Sequence, residues 1–282
     1  MRIAWVTDST AYVPDSGEHD IFVVPMSIIF GEREYQDGID LSPEDLFAKL
    51  RDLKVEVKTS QPSIGTFKEL YEQLSADYDY IFSIHVSSHF SGTFSSAHQA
   101  AELLKGTIPN IICIDSKILS NPLTELIHFG QRLHREGKEP HQIQEAIEER
   151  ITTCETFVMV GSLEQLHKSG RMGGLSFFLG SVLKVKPMLS IEDGKLNVKD
   201  KVRSIKKGLS SMSQRLEMAL AEKDVRKVSV LHGLNREEAT EWMEELQAKY
   251  PGIEFGAYPL GAVIGVHAGE NTIGISWLAE NE

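Results

Sequence analysis

The sequence is short of cysteine, of basic residues and of long apolar runs, and each shortage excludes a class of protein. Its 282 residues contain two cysteines, Cys113 and Cys154. They lie far apart, each in an apolar run, and read as buried reduced thiols rather than a disulfide framework or a metal site. Lysine and arginine number 29 against 41 aspartates and glutamates, a net charge of −12. Nucleic-acid binding needs clustered positive charge to neutralise phosphates, and the balance here runs the other way. No apolar run has the length to span a bilayer, and Met1 to Val6 enters a strand pattern without the layout of a signal peptide. A cytoplasmic location is the expectation. Site motifs are missing too. There is no Gly-x-x-x-x-Gly-Lys phosphate loop, no dinucleotide fingerprint after the first strand, and no zinc spacing among the cysteines and histidines. Ser91 precedes Gly92 but has no glycine two residues before it, so the Gly-x-Ser-x-Gly hydrolase elbow is absent.

What the sequence does have centres on residues 81–101. Ile81 to Val86 is an apolar run of strand length. Ser87, Ser88, His89, Phe90, Ser91, Gly92 and Thr93 follow, and then a helical pattern through Ala97, Ala100 and Ala101. The first amides of a helix lack intrahelical partners and carry partial positive charge. A turn rich in hydroxyls there suits a carboxylate or phosphate. Ser91 or Thr93 serving simply as a helix cap is the alternative.

The first half alternates strand and helix. Strands are expected at Ile3–Val6, Phe22–Met26, Ile81–Val86 and Ile111–Ile114, and a small hairpin or loop at 32–38. Ser42-Pro43 opens a helix, and Thr59 to Ser63 reads as a loop entering another. Helices are expected over 122–136 and 141–152. This alternation implies a mostly parallel sheet, whose ligands bind beyond the carboxyl ends of the strands. Asp8-Ser9, Ser87 to Ser91 and Asp115-Ser116 all follow strands. The second half mixes elements differently. A strand at Phe157–Val160 precedes a helix near 163–167, and 175–183 is an amphipathic run. Asp193-Gly194 between Met188–Glu192 and Leu196–Val202 signals a hairpin. Helices over 204–222 and 235–249 and strands at Val228–His232 and Glu254–Tyr258 follow, and the chain closes on the apolar segments Gly261–His267 and Ile273–Trp277. The expected architecture is an N-terminal α/β domain with a mostly parallel sheet, residues 1–153, and a C-terminal α+β domain, residues 154–282.

Several segments together resemble one family. They are Thr7-Asp8-Ser9-Thr10, Thr59-Ser60-Gln61-Pro62, Ser87 to Thr93, Gly170-Arg171, Lys184-Val185-Lys186-Pro187 and Gly265-Val266-His267-Ala268-Gly269. In order and spacing they are similar to the signatures of the DegV family, nearly end to end. The resemblance implies a fatty-acid-binding protein whose acyl chain is buried between its two domains. It also implies a FakB-like role, in which the bound acid is presented to a separate ATP-dependent fatty acid kinase that makes an acyl phosphate for bacterial phospholipid synthesis. No cofactor is implied beyond the fatty acid as ligand. Carried over, the resemblance has Thr59 and Ser91 hydrogen-bonding the carboxylate, with His267 and Arg171 nearby. The chemistry is sound, because a carboxylate has about four acceptor sites to satisfy and arginine is its best charged partner. Candidate tunnel residues are Phe177, Phe178, Leu179, Val182, Leu183, Met188, Leu189 and Ile264. Burying a chain of some sixteen carbons contributes on the order of 10 kcal/mol at about 0.8 per methylene, before the costs of binding.

Asn271 stands where the family usually has a second glycine after His267. Lys199, Lys201, Arg203, Lys206 and Lys207 form a basic cluster in an acidic chain. It reads as a solvated face or as a docking patch for an acidic kinase surface or anionic lipid, with Arg203 and Lys206 central. The alternative function is an acyl hydrolase or acyltransferase, with Ser91 as nucleophile, His267 as base and Asp8 as orienter.

Overall fold

A computed structural model describes residues 1–14, 20–52, 57–172 and 186–280. Strands β1 (Ile3–Asp8) and β2 (Ile21–Val24) lead into β3 (Ser27–Phe30), β4 (Arg33–Gln36) and helix α1 (Pro43–Asp52). Then come β5 (Val57–Ser60), α2 (Ile64–Leu74), β6 (Tyr80–His85), α3 (Thr93–Leu104), β7 (Ile111–Asp115), α4 (Asn121–Arg135) and α5 (Pro140–Thr152). The second half runs β8 (Cys154–Met159), α6 (Leu163–Lys168), β9 (Lys186–Glu192), β10 (Lys195–Val202), α7 (Ile205–Glu222) and β11 (Lys227–His232). It ends with α8 (Arg236–Lys249), β12 (Glu254–Pro259), α9 (Ala262–Ala268) and β13 (Ile273–Leu278).

The expected parallel sheet has the order β2-β1-β6-β7. Every residue of β1 is buried, as happens when helices cover both faces of a sheet. Side-chain alternation divides the strand between two cores. Ile3 and Trp5 join Leu123, Leu126, Ile143 and Ile147 from α4 and α5. Ala4 and Val6 join Phe67, Tyr71, Ala97 and Ala100 from α2 and α3. Local signals fix the helix starts. Ser63 caps α2 by accepting from Thr66 N, and α5 opens with a Glu139–Gln142 capping box and Pro140 at its first position.

Two features depart from the sequence reading. Thr59 and Ser60, expected in a loop, belong to β5, which pairs antiparallel with β3 in a small sheet ordered β4-β3-β5. The run Phe22–Met26 divides, because β2 ends at Val24 and the chain turns through Pro25 into β3. The amphipathic run 175–183 lies outside the described residues.

The second sheet has six strands ordered β10-β9-β8-β13-β11-β12. Its late-sequence strand β13 sits centrally, antiparallel to both β8 and β11. The β9–β10 hairpin turns at Asp193 and Gly194, with φ of 48° and 77°, the left-handed pair that an Asp-Gly turn supplies. Its tip reaches the N-terminal sheet. Ser87 Oγ donates to Gly194 O at 2.9 Å, and Lys117 pairs with Asp193. A β-carbon on Gly194 would stand 2.4 Å from Ser87 Oγ.

Helix α9 crosses between the halves. Ala262, Val263 and Val266 pack with Met26, Ile28, Leu46 and Phe47. Gly265 makes the contact close, since a β-carbon there would meet the Phe47 ring at 2.6 Å.

Candidate functional site

Thr59, Ser91, Arg171 and His267, which are far apart in the chain, all line one cavity. It holds about 820 Å³ of empty space counting its mouth. Most of its described wall is aliphatic, including Val86, Val158, Val160, Leu231, Leu260, Val263 and Ile264. β5 contributes Thr59, the turn after β6 contributes Ser91, the chain beyond α6 contributes Arg171, and the last turn of α9 contributes His267.

These four residues cluster at one end. Thr59 Oγ1 and His267 Nε2 are 2.8 Å apart. Arg171 Nε donates to Phe90 O, next to Ser91, at 3.2 Å, and its Nη1 donates to Ser169 O at 2.6 Å. Arg171 thus ties the end of α6 to the serine-rich turn and keeps other guanidinium N–H groups for a ligand. Burial foremost, and then the charge of Arg171, push the His267 imidazole down to about 4. It is neutral at pH 7. Its Nδ1 is buried with no hydrogen-bond partner. With the proton on Nε2, the ring donates to Thr59 Oγ1 and leaves the threonine hydroxyl proton free for an anion. Ser91 Oγ lies 2.8 Å from Thr93 Oγ1 and accepts from Thr93 N at 3.3 Å. Gly92 takes the N-cap position of α3 with no side-chain cap bond, so neither Ser91 nor Thr93 caps that helix in the ordinary way. The other hydroxyls on the wall are already committed. Thr10 donates to Asp8 at 2.6 Å, Thr272 to Ala268 O at 2.9 Å, and Thr156 pairs with Ser276 at 2.6 Å. The unspent donors sit together beside Arg171, and the rest of the wall is apolar. Such a site suits a molecule with one anionic end and a long hydrocarbon remainder.

The Ser91–His267–Asp8 triad is not assembled. Asp8 pairs with His85 Nδ1 at 3.1 Å and accepts from Val86 N at 2.9 Å. His267 faces Thr59, and Ser91 faces Thr93. Asp8 belongs to a buried structural chain running through His85, Ser83 and Tyr71. Of the candidate tunnel residues, Ile264 lines the cavity. Met188 and Leu189 are instead fully buried members of core clusters, because their strand turns them into packing between sheet and helix. Phe177, Phe178, Leu179, Val182 and Leu183 lie outside the described residues. Lys199 pairs with Glu192, while Arg203, Lys206 and Lys207 are exposed around the start of α7. In the turn after α9 the left-handed residue is Gly269, at φ 87°, and Asn271 is exposed without positive φ, so no glycine is required there. Both cysteines are free and half-buried, and burial pushes the Cys113 thiol up to about 12 and Cys154 up to about 11.

Asp37 is the residue that sequence reasoning missed. It is buried at 4 % exposure with Oδ2 unpartnered. The Ser9 hydroxyl and the amides of Val263 and Ala262 at the start of α9 approach its carboxyl, yet burial outweighs them and pushes it up to about 6. Asp37 thereby anchors the helix that carries His267. A run of charged residues, Glu32 to Asp37, disguised it as a solvated hairpin.

Among the described residues no helix is long and apolar enough to cross a membrane, and no cluster of metal-ligating side chains occurs. The profile of a family described as uncharacterised proteins of the DegV family matches residues 2–280. Protein DegV of Bacillus subtilis is 36% identical over 284 residues, covering 98% of this chain and 99% of its own. Its crystal structure, described as a fatty acid binding protein, superposes with a TM-score of 0.90 over 99% of this chain and all of that one. A DegV family protein from Thermus thermophilus, described by its fatty acid binding, is 27% identical with a TM-score of 0.92, covering 99% and 100%. A stearic acid-binding protein from Eubacterium ventriosum is 27% identical with a TM-score of 0.88, covering 98% of each chain. With a match that runs almost end to end in both sequence and fold, the chain belongs to the DegV family.

Proposed function

We propose that this protein is a non-enzymatic carrier that binds one long-chain fatty acid. The carboxylate is held by the hydroxyls of Thr59 and Ser91, with Arg171 balancing its charge and His267 orienting Thr59. The acyl chain fills the aliphatic cavity. Residues 1–153 and 154–282 act as the two units that close over it, with α9 as the tie between them. The observation that carries this reading is that four polar residues from distant parts of the chain line one largely aliphatic cavity, with Thr59 against His267. Relatives described as fatty-acid-binding proteins support it.

The finer role is presentation. A carrier that keeps the carboxylate near the polar end of the cavity can offer it to a separate ATP-dependent kinase for acyl-phosphate formation, which sets the exchange in the cytoplasm. Arg203 and Lys206 are the proposed docking contacts for that partner.

Native mass spectrometry of the protein purified from cells, followed by solvent extraction, tests the binding. About one free fatty acid per chain is expected. An empty protein that also refuses added fatty acid refutes the reading.

A further inference from the structure

The cavity follows strand β8. Val160, Val158 and Thr156 are alternate residues on one side of that stretch of chain, and all three line the wall. Val160 marks the polar end. The next residues, Gly161 and Ser162, donate to Thr272 Oγ1 at 3.0 Å and to Ala268 O at 2.9 Å, beside His267. Thr156 lies four residues further along, about 13 Å at strand spacing.

At that depth the sheet changes character. Val158 pairs with Gly274, and Gly274 with Leu231. This row is apolar, and its middle position carries no side chain. Two residues along, the row is Thr156, Ser276 and Ser229. All three are buried hydroxyls. Thr156 is fixed by Ser276 at 2.6 Å, and Ser229 accepts from Asn121 Nδ2 at 2.9 Å. The cross-strand partner of Thr156 on β9 is Ile191. Beyond this pair opens a second cavity, about 1440 Å³ of empty space counting its mouth. Its walls are mixed, with the charged Asp115, Lys117, Glu155 and Glu192 among the apolar Ile114, Ile118, Ile151 and Phe157. Among the described residues, Thr156 and Ile191 alone line both cavities.

We propose that the Thr156–Ile191 pair is the stop against which the far end of the acyl chain rests, so that it sets the longest chain the protein accepts. The inference rests on the fatty-acid reading of the first cavity. Ile191 supplies the bulk. Thr156 cannot swing aside without breaking its bond to Ser276, whose own hydroxyl donates to Glu155 O.

The full chain is stripped of lipid and titrated with saturated fatty acids of increasing length, for the wild type, Ile191→Ala and Ile191→Phe. The readout is the longest acid bound. Ile191→Ala removes three carbons of side chain and makes room for two methylenes. Affinity for an acid two carbons beyond the wild-type limit is then expected to rise on the order of tenfold. Ile191→Phe is expected to shorten the limit, and decides the matter alone if the alanine variant does not fold. A limit that moves in neither variant overturns the stop and leaves fatty-acid binding standing. A wild type that binds no acid of any length overturns the binding reading itself.

Discussion

Replacing Asp37 with asparagine separates two titrations that mask each other in the native protein. The Asp37 carboxyl is pushed up from 3.8 to about 6, so ionisation is less favourable folded than unfolded. Its cost is absent well below the ordinary carboxylate range, grows as pH rises through the window, and is complete above about pH 6. The displacement gives roughly 1 kcal/mol of destabilisation at pH 4.5 and roughly 3 at pH 7. His267 runs the other way. Its imidazole falls from 6.5 to about 4, so its contribution to stability is whole above pH 6.5 and is lost as pH falls toward 4. Between pH 7 and 4.5 that loss is about 2 kcal/mol. The two slopes nearly cancel. Asparagine cannot titrate, and any pH-independent effect of its amide on the start of α9 drops out when two pH values are compared. The stability of Asp37→Asn relative to wild type should therefore rise by about 2 kcal/mol from pH 4.5 to pH 7. In a chain of this size that is about 4–8 °C of relative melting temperature. Thermal and urea unfolding of both proteins at the two pH values measure it. A difference that stays constant within about 0.5 kcal/mol, well below the 2 expected, refutes a buried, ionisable Asp37.

Thr59→Val removes one hydroxyl at constant shape. A hydrogen bond to a charged group is worth about 1.5–3 kcal/mol, so retention of a fluorescent fatty acid should weaken roughly tenfold to a hundredfold; a change below about threefold would place the carboxylate elsewhere. Gly194→Ala sets a β-carbon 2.4 Å from Ser87 Oγ at φ 77°, so the hairpin tip should lose its seat at a cost of about 1–3 kcal/mol, partly recovered by adding Ser87→Gly. Ser120 sits at φ 62° and ψ −150° with its hydroxyl unpartnered and buried, so Ser120→Gly should stabilise the protein by about 1 kcal/mol in urea unfolding. On the proposed docking role, Arg203→Glu with Lys206→Glu should weaken association with a fatty acid kinase and leave fatty-acid affinity unchanged; undiminished association removes that docking surface.

Strong local patterns were readable in the sequence. The parallel strands stand out as continuous apolar runs because helices cover both their faces. The β9–β10 turn is announced by Asp193-Gly194, whose backbone angles few other pairs tolerate. What escaped was decided by distant partners. Lys58, Thr59 and Ser60 have no strand signature of their own; β5 exists because β3, some thirty residues earlier, offers it an edge. Helix α9 spans seven residues, too few for a period to register, and its burial against α1 and β3 is a property of the assembled chain. Asp37 looks solvated until α9 closes over it. Among the site residues, Thr59, Ser91, Arg171 and His267 were named from motifs. Their common position at one cavity end is a tertiary fact, as is the pairing of Asp8 with His85 that dismantles the triad.

The central place of β13 has a consequence for how the protein is made. β8 emerges from the ribosome early in the second half, but its neighbour β13 follows more than a hundred residues later, on the order of ten seconds of synthesis. Until then β8 has an open edge, β11 has nothing to pair with on that side, and α9 has not brought His267 to Thr59. The nascent chain can assemble its parallel sheet, but α9 and β13 follow every other described element. A chain lacking β13 exposes the unpaired flank of β8.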